Sequence, residues 1–71
     1  MTYRRYTYER GGWVGTLSPS GWASFRSGTV HHHVSMKAVA ATQEQAEAYV
    51  KAKTDSLARG EPLNIYIEVT P

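Results

Sequence analysis

The stretch TQEQAEAYVKAKTDSLARGEP, residues 42–62, decides the fold class, because it carries the chain's helical pattern. Thr42 suits an N-cap, and Gln45 three residues later completes a capping box for amides that a helix start leaves open. Glu44 and Glu47 lie near the positive end of the helix dipole, and Ala46, Ala48, Ala52 and Ala58 raise helix propensity. Gly60 suits the left-handed position beyond the C-cap, and Pro62 forbids continuation. The apolar stripe of this helix runs through Ala46, Tyr49, Val50 and Leu57, with Glu47 and Lys51 paired on the far side. Lys53 falls inside the stripe and is expected to snorkel along a sheet edge.

On the C-terminal side, Leu63, Ile65, Ile67 and Val69 alternate with Asn64, Tyr66, Glu68 and Thr70. That period of two predicts a strand over residues 62–70 with one buried face. On the N-terminal side the chain reads as β with tight turns. Tyr3–Glu9 is aromatic and threonine-bearing, Gly11-Gly12 is a turn, and Trp13–Leu17 is a second strand. Ser18-Pro19-Ser20-Gly21 fits a type I turn, Trp22–Arg26 a third strand, Ser27-Gly28 another turn, and Thr29–Val39 a fourth strand. On that fourth strand Val30, His32, Val34 and Met36 share one face, and His31, His33 and Ser35 the other. The order ββββαβ predicts an α+β fold, an antiparallel sheet of four to five strands with one helix packed on one face. The opposite face is then left without a helix. No repeat, low-complexity stretch or linker interrupts residues 1–71, which read as a single domain.

Seventy-one residues supply one small hydrophobic core. A domain of this size buries only about 60% of the surface of its unfolded chain and is marginally stable. The chain has no cysteine, which excludes disulfides, thiolate metal sites and thiol nucleophiles. A domain this small without staples fits a reducing cytoplasm (the host's, if the chain is phage-encoded) or a dimer that enlarges the core. No apolar run of signal-peptide or membrane-span length follows Met1–Tyr6, so the expectation is an unexported protein with no membrane partner. The net charge of +2 is uneven. Arg4, Arg5, Arg10, Arg26 and Lys37 face only Glu9 in the first 37 residues, whereas the remainder is acidic. An acidic partner for the first half follows.

Catalytic chemistry finds little footing. No Gly-x-Ser-x-Gly elbow is present, and Asp55, the lone aspartate, is expected on the exposed helix face and far from any histidine. Gly11-Gly12 joins two strands rather than a strand and a helix, so a phosphate-cradling glycine loop is missing. A domain this short also leaves little room for a pocket of a few hundred Å³. His31 and His33 project to one side and invite a metal, with Glu68 or Glu9 as a third ligand. No His-x-x-x-His, Cys pair or Asp cluster supports a metal, so they are read as exposed polar strand positions with His32 half-buried between Val30 and Val34, and neither a metal nor a cofactor is assigned. The most suggestive set is aromatic and basic: Tyr3, Arg4, Arg5, Tyr6, Tyr8, Arg10, Trp13, Trp22, Arg26 and Tyr66. Tyr and Arg dominate protein–protein hot spots and also stack bases and meet phosphates. At least one tryptophan is expected in the core. The face shown by Tyr3–Tyr8 is open, since either alternate set can point outward. Arg4, Arg5, Tyr6, Tyr8, Arg10, Arg26 and Tyr66 are the candidate partner-binding residues.

The residues Gly12-Trp13-Val14, Phe25 and Thr42–Tyr49 resemble AP2-like or arm-type DNA-binding domains of integrases. That resemblance implies a three-stranded sheet entering the major groove, braced by the helix. The predicted strand Leu63–Val69 and the mild charge depart from that family. In build the whole chain is similar to small phage and mobile-element proteins, including anti-CRISPR inhibitors. That likeness implies a plug occupying a nucleic-acid path or subunit interface on a bacterial defence complex. The expectation is therefore a non-enzymatic binding protein. A protein partner comes first, a nucleic-acid backbone met by the N-terminal arginines second, and a homodimer through free sheet edges third.

Overall fold

The computed structural model describes residues 2–67. Four strands form one antiparallel sheet in the order of the chain: β1 (Tyr6–Arg10), β2 (Trp13–Leu17), β3 (Trp22–Ser27) and β4 (Val30–Ser35). A 3-10 turn (Met36–Ala38) and one helix, α1 (Gln43–Ala58), follow. The α+β class, the antiparallel sheet and the single packed helix are as the sequence predicts.

Each hairpin is closed by the residue its geometry demands. Arg10 pairs with Trp13, so Gly11 and Gly12 form a two-residue loop, and both have positive φ, +58° and +84°. A turn of that kind needs two left-handed residues, and glycine supplies them without steric cost. The next loop is the expected type I turn, with the Gly21 amide donating to the Ser18 carbonyl at 3.0 Å.

The pairing register sorts every strand residue onto one of two faces. Tyr8, Gly15, Phe25 and His32 lie in one transverse row, and Tyr6, Leu17, Ala23 and Val34 in the next. Helix α1 packs over this face, chiefly on β1 and β2. Its buried residues Ala46, Tyr49, Val50 and Leu57 join Leu17, Ala23, Phe25, Met36 and Tyr3 in the core. The contact is closest at Gly15. A Cβ there would collide with the Thr54 hydroxyl and lie 2.9 Å from Val50 Cγ1.

Both helix ends are capped. Thr42 Oγ1 accepts from the Gln45 amide at 3.1 Å, while Gln45 Oε1 accepts from the Ala41 amide at 2.7 Å, the reciprocal exchange of a capping box. At the other end Gly60 has φ +88°, and its amide donates to Leu57 while that of Glu61 donates to Ser56. These two bonds make a Schellman motif. Gln43, buried at the helix start, exchanges two hydrogen bonds with the backbone of Arg4, at 2.9 and 3.2 Å, and pins the N-terminal segment.

Several expectations are corrected. Residues 61–67 form no strand, and residues 68–70 of the predicted strand lie outside the described residues. Pro62 lacks an amide, and its carbonyl accepts from the Ile65 amide at 3.2 Å, so a turn replaces the start of a ladder. The alternation nevertheless survives as burial: Leu63, Ile65 and Ile67 are half-buried, whereas Asn64 and Tyr66 are exposed. Strand β4 stops at Ser35, opposite the first residue of β3; after one further bond, from the Met36 amide to the Gly21 carbonyl at 2.8 Å, the chain winds into the 3-10 turn. Neither tryptophan is fully buried. Trp13 packs half-buried against the core, and Trp22 is 53% exposed. Glu47 accepts from Gln43 at 2.6 Å, and the Lys51 ammonium lies 5.9 Å from the centre of the Tyr8 ring instead of pairing with Glu47.

Lys53 does not snorkel outward. It is 2% exposed, with its ammonium 5.6 and 5.9 Å from the ring centres of Phe25 and Tyr49. Burial lowers its pKa from the usual 10.5. The unfolded chain therefore binds this proton more tightly, so folding stability rises with pH as Lys53 loses its proton below 10.5. Replacing Lys53 with Met is expected to leave the melting temperature unchanged or raise it by about 2–4 °C, and to remove that alkaline gain. Thermal melts between neutral and alkaline pH check this. Gly15→Ala is expected to cost about 2 kcal/mol in urea unfolding, since the helix must back away from β2.

Candidate functional site

The face opposite the helix carries Thr7 and Glu9 from β1, Val14 and Thr16 from β2, Trp22, Ser24 and Arg26 from β3, and His31, His33 and Ser35 from β4. In its middle lies a concavity of about 340 Å³ lined by Val14, Thr16, Ser24, Arg26, His31 and His33. Its origin is local. Short side chains on the two central strands make the floor, and three longer ones, Arg26, His31 and His33, stand at its rim. The sequence led us to expect little room for a pocket, and the twisted sheet supplies one without enclosing it.

The register sets the geometry of this saucer. Thr16, Ser24 and His33 are directly opposed across β2, β3 and β4, and Val14, Arg26 and His31 form the neighbouring row. His31 and His33 stack with ring centroids 6.4 Å apart. Among the described residues, no side-chain hydrogen bond or ion pair engages Thr16, Ser24, Arg26, His31 or His33. The polar groups of the saucer thus face outward with their hydrogen-bonding capacity available. Glu9 completes the Arg26 row at its far end, and three strand spacings of about 4.8 Å separate it from His31. It cannot join the two histidines on one ion, and Glu68 lies outside the described residues. Among the described residues, no three His, Asp or Glu side chains gather in metal-binding geometry.

The seven candidate residues are dispersed. Arg26 alone of them lines the saucer. Tyr6, Tyr8 and Arg10 share the helix-covered face, which decides the register that the sequence left open. The Tyr8 hydroxyl donates to Asp55 at 2.7 Å, and Arg10 reaches the same carboxylate at 3.4 Å. Asp55 is therefore engaged across the helix–sheet boundary and not free on an exposed helix face. Tyr6 packs against the core, and burial, followed by the charge of Glu47, raises its phenol pKa. Arg4 and Arg5 are exposed on the segment before β1, and Tyr66 is 82% exposed on the segment after the helix. The saucer's hydroxyls did not figure among the candidates, and its histidine pair was weighed only as a metal site. The signal that finds them is the alternation set by Leu17 and Phe25: once those face the helix, Thr16, Ser24 and Arg26 face away.

His32, between the two rim histidines, points to the helix side. Its ring centroid is 6.2 Å from that of Phe25, and burial, then the charge of Lys53, lowers its pKa from 6.5. Only its flanking neighbours serve the open face.

A comparison with protein-family models gives no match, and neither do comparisons with curated proteins and with solved structures. Among the described residues, no helix is long and apolar enough to cross a membrane.

The Asp55 contacts generate a pH prediction. The Tyr8 hydroxyl, and then Arg10, hold the Asp55 carboxyl below its usual 3.8. Its contribution is complete above the unfolded value and is lost as the pH falls through the lower folded value. Asp55→Asn should flatten the acid limb of stability below about pH 4, with Tyr8→Phe giving a part of that effect. Urea midpoints measured down the acid range decide it.

Proposed function

We propose that this chain is a non-enzymatic binding module that holds the phosphodiester backbone of a nucleic acid against its open sheet face. The observation that carries the reading is the convergence of Arg26, His31 and His33 around a hydroxyl floor, with no side-chain hydrogen bond or ion pair to any of them among the described residues. Arginine and imidazole meet phosphate oxygens, and serine and threonine hydroxyls add neutral donors. Trp22, exposed four residues before Arg26 on the same face of β3, offers a base a flat apolar surface, and stacking of this kind suits a single strand. The two places are separated along the strand by roughly 13 Å. Arg4 and Arg5 add positive charge on the segment leading into the sheet. The sequence ranked a protein partner first because of its many tyrosines and arginines. Tyr6 packs against the core and the Tyr8 hydroxyl is held by Asp55, so that motive weakens.

A protein partner, of the kind met by phage-type inhibitors of bacterial defence complexes, is favoured by one specific observation. Tyr66 and Trp22 are large, exposed and of the residue types that anchor protein interfaces.

Fluorescence anisotropy of a labelled single-stranded oligonucleotide, titrated with the full chain over a salt series, tests the nucleic-acid reading. Affinity should fall steeply with salt, and Arg26→Ala should reduce the log–log salt slope by about 1. Absence of binding even at low salt would sink it. Salt-insensitive capture of a protein, lost in Trp22→Ala and Tyr66→Ala, would put the second reading in its place.

A further inference from the structure

We propose that the saucer is a discrete, proton-gated phosphate site, in which Arg26, His31 and His33 hold one phosphate group over the hydroxyls of Ser24 and Thr16. The inference rests on the nucleic-acid reading only for the source of the phosphate, and it adds what the face grips and what regulates the grip.

The register places the five groups as a grid. Arg26 is the cross-strand partner of His31, Ser24 that of His33, and Thr16 that of Ser24. Directly opposed side chains have Cβ atoms about 4.5–5.5 Å apart, and successive rows on one face lie about 7 Å apart. Five donor-bearing side chains therefore border one concavity of about 340 Å³. Arg26 brings a fixed charge and a fork of N–H donors, and a tetrahedral oxyanion matches that fork. The same guanidinium disfavours a cation in the saucer, so the histidine pair is matched to an anion and not to a metal. The floor holds a single aliphatic side chain, Val14, which leaves little to attract an apolar ligand.

Gating follows from the chemistry of imidazole. A neutral ring offers one donor and one acceptor, whereas a protonated ring offers two donors and a positive charge. Imidazole is the side chain whose ordinary titration lies between pH 5 and 8. Two stacked rings beside a guanidinium repel each other when charged, and a bound phosphate relieves that repulsion. Anion binding and proton uptake are then linked, each favouring the other. The charged groups facing the pair on this side are Arg26 on β3 and, at the far edge, Glu9 on β1, while β2 contributes the uncharged Val14 and Thr16. His32 and Lys53 act from the opposite side of the sheet. Affinity should accordingly rise as the pH falls through the histidine range.

The test uses dimethyl phosphate, a phosphodiester without a base whose charge is constant over this range, titrated into the 71-residue chain and followed by imidazole NMR. At about pH 5.5 the His31 and His33 resonances should move with saturation while His32 stays behind. Affinity should be at least about tenfold weaker at about pH 8. Arg26→Ala should abolish the response, and the double variant His31→Gln with His33→Gln, followed by the backbone amide resonances of Ser24 and Arg26, should lose the pH dependence while keeping the fold intact by circular dichroism. Equal affinity at the two pH values, or shifts confined to His32, would overturn the proposal. Failure of the two readings is separable. An oligonucleotide that binds independently of pH and of the double glutamine variant removes the gated site and leaves the nucleic-acid reading standing. Dimethyl phosphate that fills the site while no oligonucleotide binds confirms the site and removes that reading.

Discussion

The contact on which the rest of the structure depends is the approach of helix α1 to strand β2 at Gly15. With no Cβ at that position, Thr54 and Val50 sit directly on the strand, and Phe25 closes in from the neighbouring one. Helix and sheet thereby exclude water from a core built of few large side chains, Leu17, Phe25, Met36, Tyr49, Val50 and Leu57 among them. In a domain this small, a gap of a methyl group along that line is a sizeable fraction of the total stability. The same contact also fixes polarity. It commits Tyr8, Gly15, Phe25 and His32 to the covered side and sends every alternate residue to the open one.

Two devices hold the chain's periphery to that core. Gln43 pairs with the backbone of Arg4 as if it were a neighbouring strand, and Asp55 gathers Tyr8 and Arg10 across the edge of the sheet. Both draw on the residue types that make an isolated helix polar. Lys53 is the odd member: a cation enclosed between two aromatic rings, where ring quadrupoles offset a part of its lost hydration. Its charge, after burial, contributes to the lowered pKa of His32 on the same side of the sheet.

The open face is polar in a particular way. Its floor is hydroxyl-bearing, its rim is basic, and its one large apolar group, Trp22, stands to one side. A surface of this make-up is poorly suited to bury against a dry protein core and well suited to a hydrated, negatively charged partner. The proposed anion recognition and its proton dependence both rest on the placement of three side chains on adjacent strands, and neither needs a deep pocket.

The sequence by itself determined what depends on neighbours along the chain. The capping box at Thr42 and Gln45, the left-handed Gly60, the two-glycine turn and the alternation of His31 with His32 are consequences of local geometry, and they were legible for that reason. Leu63, Ile65 and Ile67 show where local reading stops. Their alternation correctly marks one half-buried side, but pairing requires free amides, and at the start of the segment Pro62 has none and the Ile65 amide is spent on the Pro62 carbonyl. The candidate site went the same way. Tyr6, Tyr8 and Arg10 were chosen by residue type alone; the register puts all three on the helix side, where Tyr8 and Arg10 meet Asp55, 45 or more residues away in the chain. Arg26, His31 and His33 converge only because β2, β3 and β4 align in one register. Only the tertiary structure decides such a matter, because a shift of one residue reverses the face of every side chain, and the energy that selects the register comes from packing the helix on one side of the sheet.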